Sequence, residues 1–187
     1  MSHPLVVIVT GPPCTGKTTI GRYLAGELGL PFLGKDLIKE SLFDTLGVGD
    51  REWSKKLGRA TMELLYVLME SELAAGRSFL VESNFTADLA GPRFIELREK
   101  YPFEPFQVVC RTDSEVLMER FRRRGESGER HPGHLDHVTI HEMPEALAED
   151  RCGAMEIGGR LVELDTTDFK KVNLKGLAEA IRAALDA

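Results

Sequence analysis

Leu5-Val6-Val7-Ile8-Val9-Thr10-Gly11-Pro12-Pro13-Cys14-Thr15-Gly16-Lys17-Thr18 decides the fold of this chain. Leu5–Thr10 is a valine-rich apolar run, the pattern of a strand covered on both faces as in a parallel sheet. Residues 11–18 then match G-x-x-x-x-G-K-[ST] at every fixed position. Glycines at both ends let the backbone wrap so that several N–H groups converge on phosphate oxygens. A helix expected over about 17–28 adds its positive end. Lys17 is expected to reach the β- and γ-phosphates of a nucleoside triphosphate, and the Thr18 hydroxyl to ligate Mg²⁺. Gly11, Pro12, Pro13, Cys14, Thr15, Gly16, Lys17, Thr18 and the adjoining Thr19 form the expected phosphate site. Cys14 reads either as a loop residue or as a thiol activated by the helix end.

Downstream, strand and helix patterns alternate. Short apolar strands are expected at Leu30–Leu33, Ser78–Glu82, Phe106–Cys110 and Leu161–Leu164. Helices are expected at Asp36–Leu46, Glu52–Ala75, Pro92–Lys100, from Thr112 to about Arg124, over Ile140–Arg151, and around Leu174–Leu185. Thr112 and Glu115 have capping-box spacing. Gly125–His137, rich in Gly, Arg and His, reads as a loop. The alternation predicts one α/β domain over 1–187: a three-layer P-loop NTPase fold with a five-stranded parallel sheet. A mobile lid is expected at about 120–140.

The 187 residues carry 24 Lys and Arg against 30 Asp and Glu, a net charge of −6. That balance argues against nucleic acid and anionic membranes as general partners. The apolar runs are too short to span a bilayer. Cys14, Cys110 and Cys152 have no framework spacing and read as reduced thiols of a cytoplasmic protein. His131, His134, His137 and His141 lack zinc-site spacing. Contact of one or two of them with phosphate or acceptor stays open.

The rest of the chain narrows the use of the nucleotide. No Asn/Thr-Lys-x-Asp guanine motif is present, and Asp88-Leu-Ala-Gly91 lies too far beyond a strand to be a GTPase element. The third strand ends in Leu80-Val81-Glu82-Ser83-Asn84, unlike the Asp-Glu ending of motor ATPases. A kinase needs a carboxylate near the γ-phosphate, cations over the transferring group and a lid against water. Asp36, after the second strand, sits where ligands bind in open α/β sheets, or else caps the next helix. Arg120 and Arg124 share a helix face, and Arg130 follows in the loop.

Gly11–Thr18, Lys35-Asp36-Leu37-Ile38-Lys39, Glu82-Ser83-Asn84-Phe85, Arg120-x-x-x-Arg124 and Leu164-Asp165-Thr166-Thr167 together resemble the P-loop small-molecule kinases. This group includes zeta toxins, chloramphenicol phosphotransferase, gluconate and shikimate kinases, the kinase half of polynucleotide kinase and AAA-type ATP-binding kinase-like proteins. The pieces keep the family's order along nearly the whole chain. The resemblance implies an ATP- and Mg²⁺-dependent phosphotransferase. Lys17, Asp36, Arg120 and Arg124 would be catalytic, with Asp36 as the acceptor-activating carboxylate. Arg120, Arg124, Arg130, Asp165, Thr166 and Thr167 would contact ATP. Asp36, Lys39, Glu82, Asn84 and Phe85 would meet a small molecule through its hydroxyl, with Trp53 and Phe43 as further walls. A nucleoside or nucleotide acceptor, or a regulatory ATPase without an acceptor, are the alternatives. Arg130-His-Pro-Gly-His134 resembles a lid element of kinase-like members of the group.

Overall fold

The computed structural model describes residues 3–128, 130–135 and 152–187. Its elements are β1 (Leu5–Thr10), α1 (Lys17–Leu28), β2 (Phe32–Gly34), α2 (Lys35–Leu46), α3 (Arg51–Ala74), β3 (Phe79–Glu82), α4 (Ala87–Lys100), β4 (Glu104–Arg111), α5 (Ser114–Ser127), β5 (Arg160–Asp165) and α6 (Leu174–Leu185), with short 3₁₀ turns at Pro132–His134 and Phe169–Lys171. The expected helix over 140–151, with His137 and His141, lies outside the described residues.

The five strands are all parallel, in the order β2-β3-β1-β4-β5. Strand alternation divides the core in two. Val6, Ile8, Phe79 and Val81 pack with Leu65, Tyr66, Met69 and Leu73 of α3 and with Phe94 and Leu97 of α4. Val7, Val9 and Leu80 pack with Ile20 and Leu24 of α1 and with Leu177 and Ile181 of α6. Two-sided cover explains why the central strands read as continuous apolar runs. The three-layer α/β/α expectation and the five-stranded parallel sheet are thus observed. β1 has β3 on one side and β4 on the other, so the loops leaving their carboxyl ends diverge and open a crevice there.

Three local expectations need correction. α5 is capped by Asp113, whose carboxylate accepts from Glu115 and Val116 N–H; the Thr112 hydroxyl pairs at 2.6 Å with that of Thr166. α4 starts at Ala87 and carries Pro92 inside. Proline removes one helix bond, and burial of Ala90, Gly91 and Phe94 against the sheet offsets that loss. α5 runs through Gly125 to Ser127 and stops at Gly128, which takes the left-handed conformation of a helix stop.

Candidate active site

The phosphate loop joins β1 to α1. Gly11 has φ +148°, and a Cβ there would stand 2.5 Å from the Cys110 carbonyl. Gly16 occupies the N-cap of α1 with φ +84°, and no side chain caps that helix end. The first N–H groups of α1 therefore face the crevice, as anion binding requires. Cys14 also has positive φ, 66°, and packs beside Leu117 and Phe121; its backbone shape is what the loop uses. The Thr15 hydroxyl donates to the Pro12 carbonyl at 2.9 Å, and Lys17 Nζ donates to the same carbonyl at 3.3 Å.

Glu82 ends β3 beside β1, in register with Val9, and is 3% exposed. Its Oε2 accepts from the Thr18 hydroxyl at 3.1 Å, and Lys17 Nζ stands 3.9 Å from Oε1. Burial pushes the Glu82 carboxyl up, opposed by Lys17. A hydroxyl and a carboxylate converging beside the phosphate loop form a donor set of hard oxygens, which suits Mg²⁺. Thr18 and Glu82 are the residues that would hold it.

Asp36 lies in the first turn of α2, whose N-cap is Gly34 without a side-chain bond. The capping alternative for Asp36 is therefore not what the structure shows. Burial pulls the Asp36 carboxyl up, but Arg130, His134, Lys35 and Lys17 together outweigh burial and hold the group at about 2. Arg130 donates to Asp36 Oδ2 at 2.7 Å. A cleft of about 290 Å³ is lined by Cys14, Gly16, Lys17, Thr18, Thr19, Asp36, Arg120, Arg124 and Arg130. A second, of about 250 Å³, continues past Thr18, Asp36, Glu40, Glu82, Arg124 and Arg130. The sequence-expected phosphate loop, carboxylate and arginines thus share one wall system.

Arg120 donates to the carbonyls of Thr166 and Thr167, each at 2.9 Å. Asp165 accepts from the Thr167 N–H, and Thr167 Oγ1 accepts from the Asp113 N–H. Thr166 is fully buried and bonded to the Arg111 carbonyl. The turn after β5 is thus tied to α5 from inside, and the hydroxyls of Thr166 and Thr167 make bonds within the protein.

Of the expected acceptor contacts, Asn84 accepts from Lys35 Nζ at 2.7 Å. Phe85 corrects an expectation: it is 1% exposed, packs edge-on to Phe94 at 5.2 Å, and donates its N–H to Thr10. It is a core side chain and lines neither cleft. Lys39 also points elsewhere: it is 9% exposed and donates to Ser54 on α3 at 3.0 Å. Burial lowers its pKa to about 8. Trp53 Nε1 donates to the Gly47 carbonyl, fastening the α2–α3 turn.

One cluster was missed at the level of sequence. The segment 130–135 docks along α2 through three pairs: Arg130 on Asp36, His134 Nε2 on Glu40 at 2.9 Å, and His131 Nε2 on Asp44 at 3.1 Å. His131 stacks on Phe43 at 5.2 Å, and Gly133 lies so close that a Cβ would meet that ring at 2.5 Å. The Gly133 carbonyl accepts from Ser54. Arg130 also meets His134 Nδ1 at 3.0 Å. An Arg donor on Nδ1 fixes the neutral tautomer with its proton on Nε2, facing Glu40. Burial, then Arg130, hold His134 down at about 3, so it is neutral at ordinary pH. In this arrangement His131 and His134 are paired with carboxylates of α2. The available signal was Asp36, Glu40 and Asp44 at i, i+4 and i+8 of one helix, an acidic stripe facing Arg130, His134 and His131.

Comparison with known proteins adds the family. A model of the AAA domain family AAA_33 matches residues 6–149. A crystal structure of a "putative kinase" from Chloroflexus aurantiacus is 36% identical with a TM-score of 0.87, covering 100% of this chain and 98% of that one. Among curated relatives, the ATP-dependent zinc metalloprotease FtsH 1 of Methylacidiphilum infernorum is 24% identical over 90% of this chain, which spans only 26% of that protein's length. Shikimate kinase of Thermobifida fusca is 29% identical over 66% of this chain and 74% of its own. With the loop, the strand-end acid and the arginines described above, these matches carry one conclusion: the chain belongs to the AAA domain family AAA_33.

Proposed function

We propose that the protein transfers the γ-phosphate of ATP to a hydroxyl of a small molecule, with Asp36 accepting the hydroxyl proton. The observation that carries this is that Asp36 lines the phosphate cleft together with Lys17, Thr18, Arg124 and Arg130. A hydrolytic switch has no need of a carboxylate there.

The backbone N–H groups of Gly11–Thr18 and the Lys17 ammonium bind the phosphates. Thr18 and Glu82 would hold magnesium, which would supply neutralisation of phosphate charge. Arg120 and Arg124 line the same cleft, where cations stabilise a loosely bonded phosphoryl group. Arg130 competes between two anions, Asp36 and phosphate. When it turns to phosphate, the largest cation acting on Asp36 is withdrawn while burial persists, and the proton affinity of Asp36 rises from about 2 toward that of a useful base. The acceptor's O–H then bonds to Asp36, its oxygen attacks the γ-phosphorus, the bond to the β–γ bridging oxygen breaks, and the proton passes to Asp36.

The test is ATP consumption by the purified protein with Mg²⁺ across sugars, sugar acids, nucleosides, aminoglycosides and polyols. At least one acceptor should raise consumption tenfold or more over the basal rate. Lys17→Ala should abolish both rates, and Asp36→Ala should remove the stimulated one while sparing basal hydrolysis. A stimulated rate untouched by Asp36→Ala refutes the role of Asp36. A broad panel with no response, while ATP still binds, favours a regulatory ATPase.

A further inference from the structure

The segment Arg130-His131-Pro132-Gly133-His134 has a built shape of its own. Pro132 opens a 3₁₀ turn over Pro132–His134, His131 Nδ1 accepts from the Gly133 N–H at 3.1 Å, and Leu135 ends the turn in the left-handed conformation at φ 56°. A proline in first position brings a preset φ and stiffens such a turn. Gly133 fastens it from outside, since its carbonyl accepts from Ser54 of α3 at 2.9 Å and its backbone lies against the Phe43 ring. The turn therefore carries His134 as a fixed bracket, and that residue is only 8% exposed.

The His134 ring spans two groups of opposite charge. Nε2 faces Glu40 Oε1 at 2.9 Å, and Nδ1 faces Arg130 Nη2 at 3.0 Å. A guanidinium only donates, so Nδ1 accepts and the ring proton stands on Nε2, donated to Glu40. Arg130 Nη2 carries two hydrogens, and its bonds to His134 Nδ1 and to Asp36 Oδ2 use one each. The two acceptors differ in kind: His134 is neutral at ordinary pH and Asp36 is an anion. A second carboxylate at position 134 would compete with phosphate for the guanidinium, whereas a neutral acceptor holds it and leaves its charge available. Edge-on packing of His134 against Phe43 at 5.8 Å asks only for a ring. A carboxylate on one nitrogen and a cation on the other ask for histidine in one tautomer.

We infer that His134, its tautomer set by Glu40, is a positioning residue that keeps the Arg130 guanidinium at the wall of the phosphate cleft as it moves from Asp36 to the γ-phosphate. Glu40 orients the ring and the ring orients the working cation, the logic by which a carboxylate–histidine pair orients a nucleophile. The inference rests on the turn of Arg130 to phosphate in the proposed reaction.

The test is nucleotide binding, which needs no acceptor. Calorimetry gives the affinity of the natural protein and its variants for ADP and for the β,γ-imido analogue of ATP, each with Mg²⁺. The natural protein should prefer the triphosphate. Arg130→Gln should cut that preference about tenfold, the worth of one hydrogen bond between charged groups, and His134→Leu should cut it by about as much. His134→Asn, whose Oδ1 replaces Nδ1 as acceptor, should keep the preference within about threefold of the natural value. In the Arg130→Gln background His134→Leu should change nothing further. ADP affinity serves as the control for an intact phosphate loop. Where leucine at this position loosens the fold, His134→Gln takes its place, since it keeps a polar group toward Glu40 and removes the acceptor facing Arg130. Nitrogen NMR of the natural protein should show the His134 proton on Nε2 alone.

A natural protein indifferent to the γ-phosphate, full triphosphate preference without the His134 acceptor, additive losses in the double variant, or a proton on Nδ1 would each overturn the inference. Coupled loss of preference at both residues, with no acceptor response across the panel, upholds the positioning role and counts against the kinase reading. An acceptor response with the preference undiminished in the variants does the reverse.

Discussion

Replacing Lys39 with methionine should make the protein more stable, and by an amount that depends on pH. Lys39 ordinarily titrates at 10.5 and in the fold at about 8. At about 1.4 kcal/mol per pK unit, that gap bounds the cost of burying the charge at about 3 kcal/mol at pH 7. The hydrogen bond to Ser54 offsets part of this, and contact of the ammonium with the Phe43 ring at 5.2 Å returns about 0.5 kcal/mol. A net cost of about 1–2 kcal/mol remains. Methionine keeps most of the stem's volume, and Ser54 keeps its bond to Gly133.

The sign of the pH effect follows from proton counting. Between about pH 8 and 10.5 the unfolded chain holds a proton on Lys39 that the folded protein has released. Stability of the natural protein therefore rises through that window as the burial cost disappears. Lys39→Met begins higher at pH 7 and lacks this rise. With a urea dependence of about 2 kcal/mol per molar, the midpoints should differ by roughly 0.5–1 M at pH 7 and converge by pH 10.5. Lys35, also lowered by burial, titrates in both proteins and cancels in the comparison. A variant less stable at pH 7, or two curves running parallel from pH 7 to 10.5, would refute the reasoning.

Two further outcomes follow from the docked segment 130–135. Arg130→Gln removes the guanidinium that holds Asp36 at about 2, while burial persists. The Asp36 carboxyl, followed by carbon NMR, should then titrate clearly above about 2. The stability that the natural pair contributes above pH 3.8, lost as pH falls toward 2, should vanish with it; an unmoved titration argues against Arg130 as the cause. Gly133→Ala sets a methyl 2.5 Å from the Phe43 ring, an overlap that costs about 1–3 kcal/mol. The segment should lift from α2, and trypsin should cut at Arg130 several times faster. An unchanged cutting rate means the docking does not depend on Gly133.

The phosphate loop was legible because its function demands backbone shapes that only particular residues adopt. Gly11 at φ +148° and Gly16 at +84° leave little choice of residue, so chemistry and sequence coincide. Asp36 was legible through its place after a strand. The acidic stripe of α2 was in view as spacing, but its partners lie about 90 residues away, and no local rule connects them. Phe85 misled because an aromatic after a strand end looks the same whether it faces a ligand or Phe94. Thr112 misled because Asp113, one residue on, caps the helix better and frees the threonine for Thr166. Lys39 was placed in the substrate site by motif position; only its bond to Ser54 shows that it faces α3.

β2 ends at Gly34 and α2 begins at Lys35, with no residue between them. Gly34 is in turn locked opposite Glu82 in the sheet. The rotational phase of α2 is therefore set by strand registry, as a key's teeth are set by its shaft. One inserted residue would turn the helix by about 100°, carrying Asp36 off the cleft and moving Lys39 away from Ser54 together. Lineages that alter the acceptor thus have little freedom in the length of this junction. They must exchange side chains on α2 in place, or resculpt the face of α3 that meets it through Ser54.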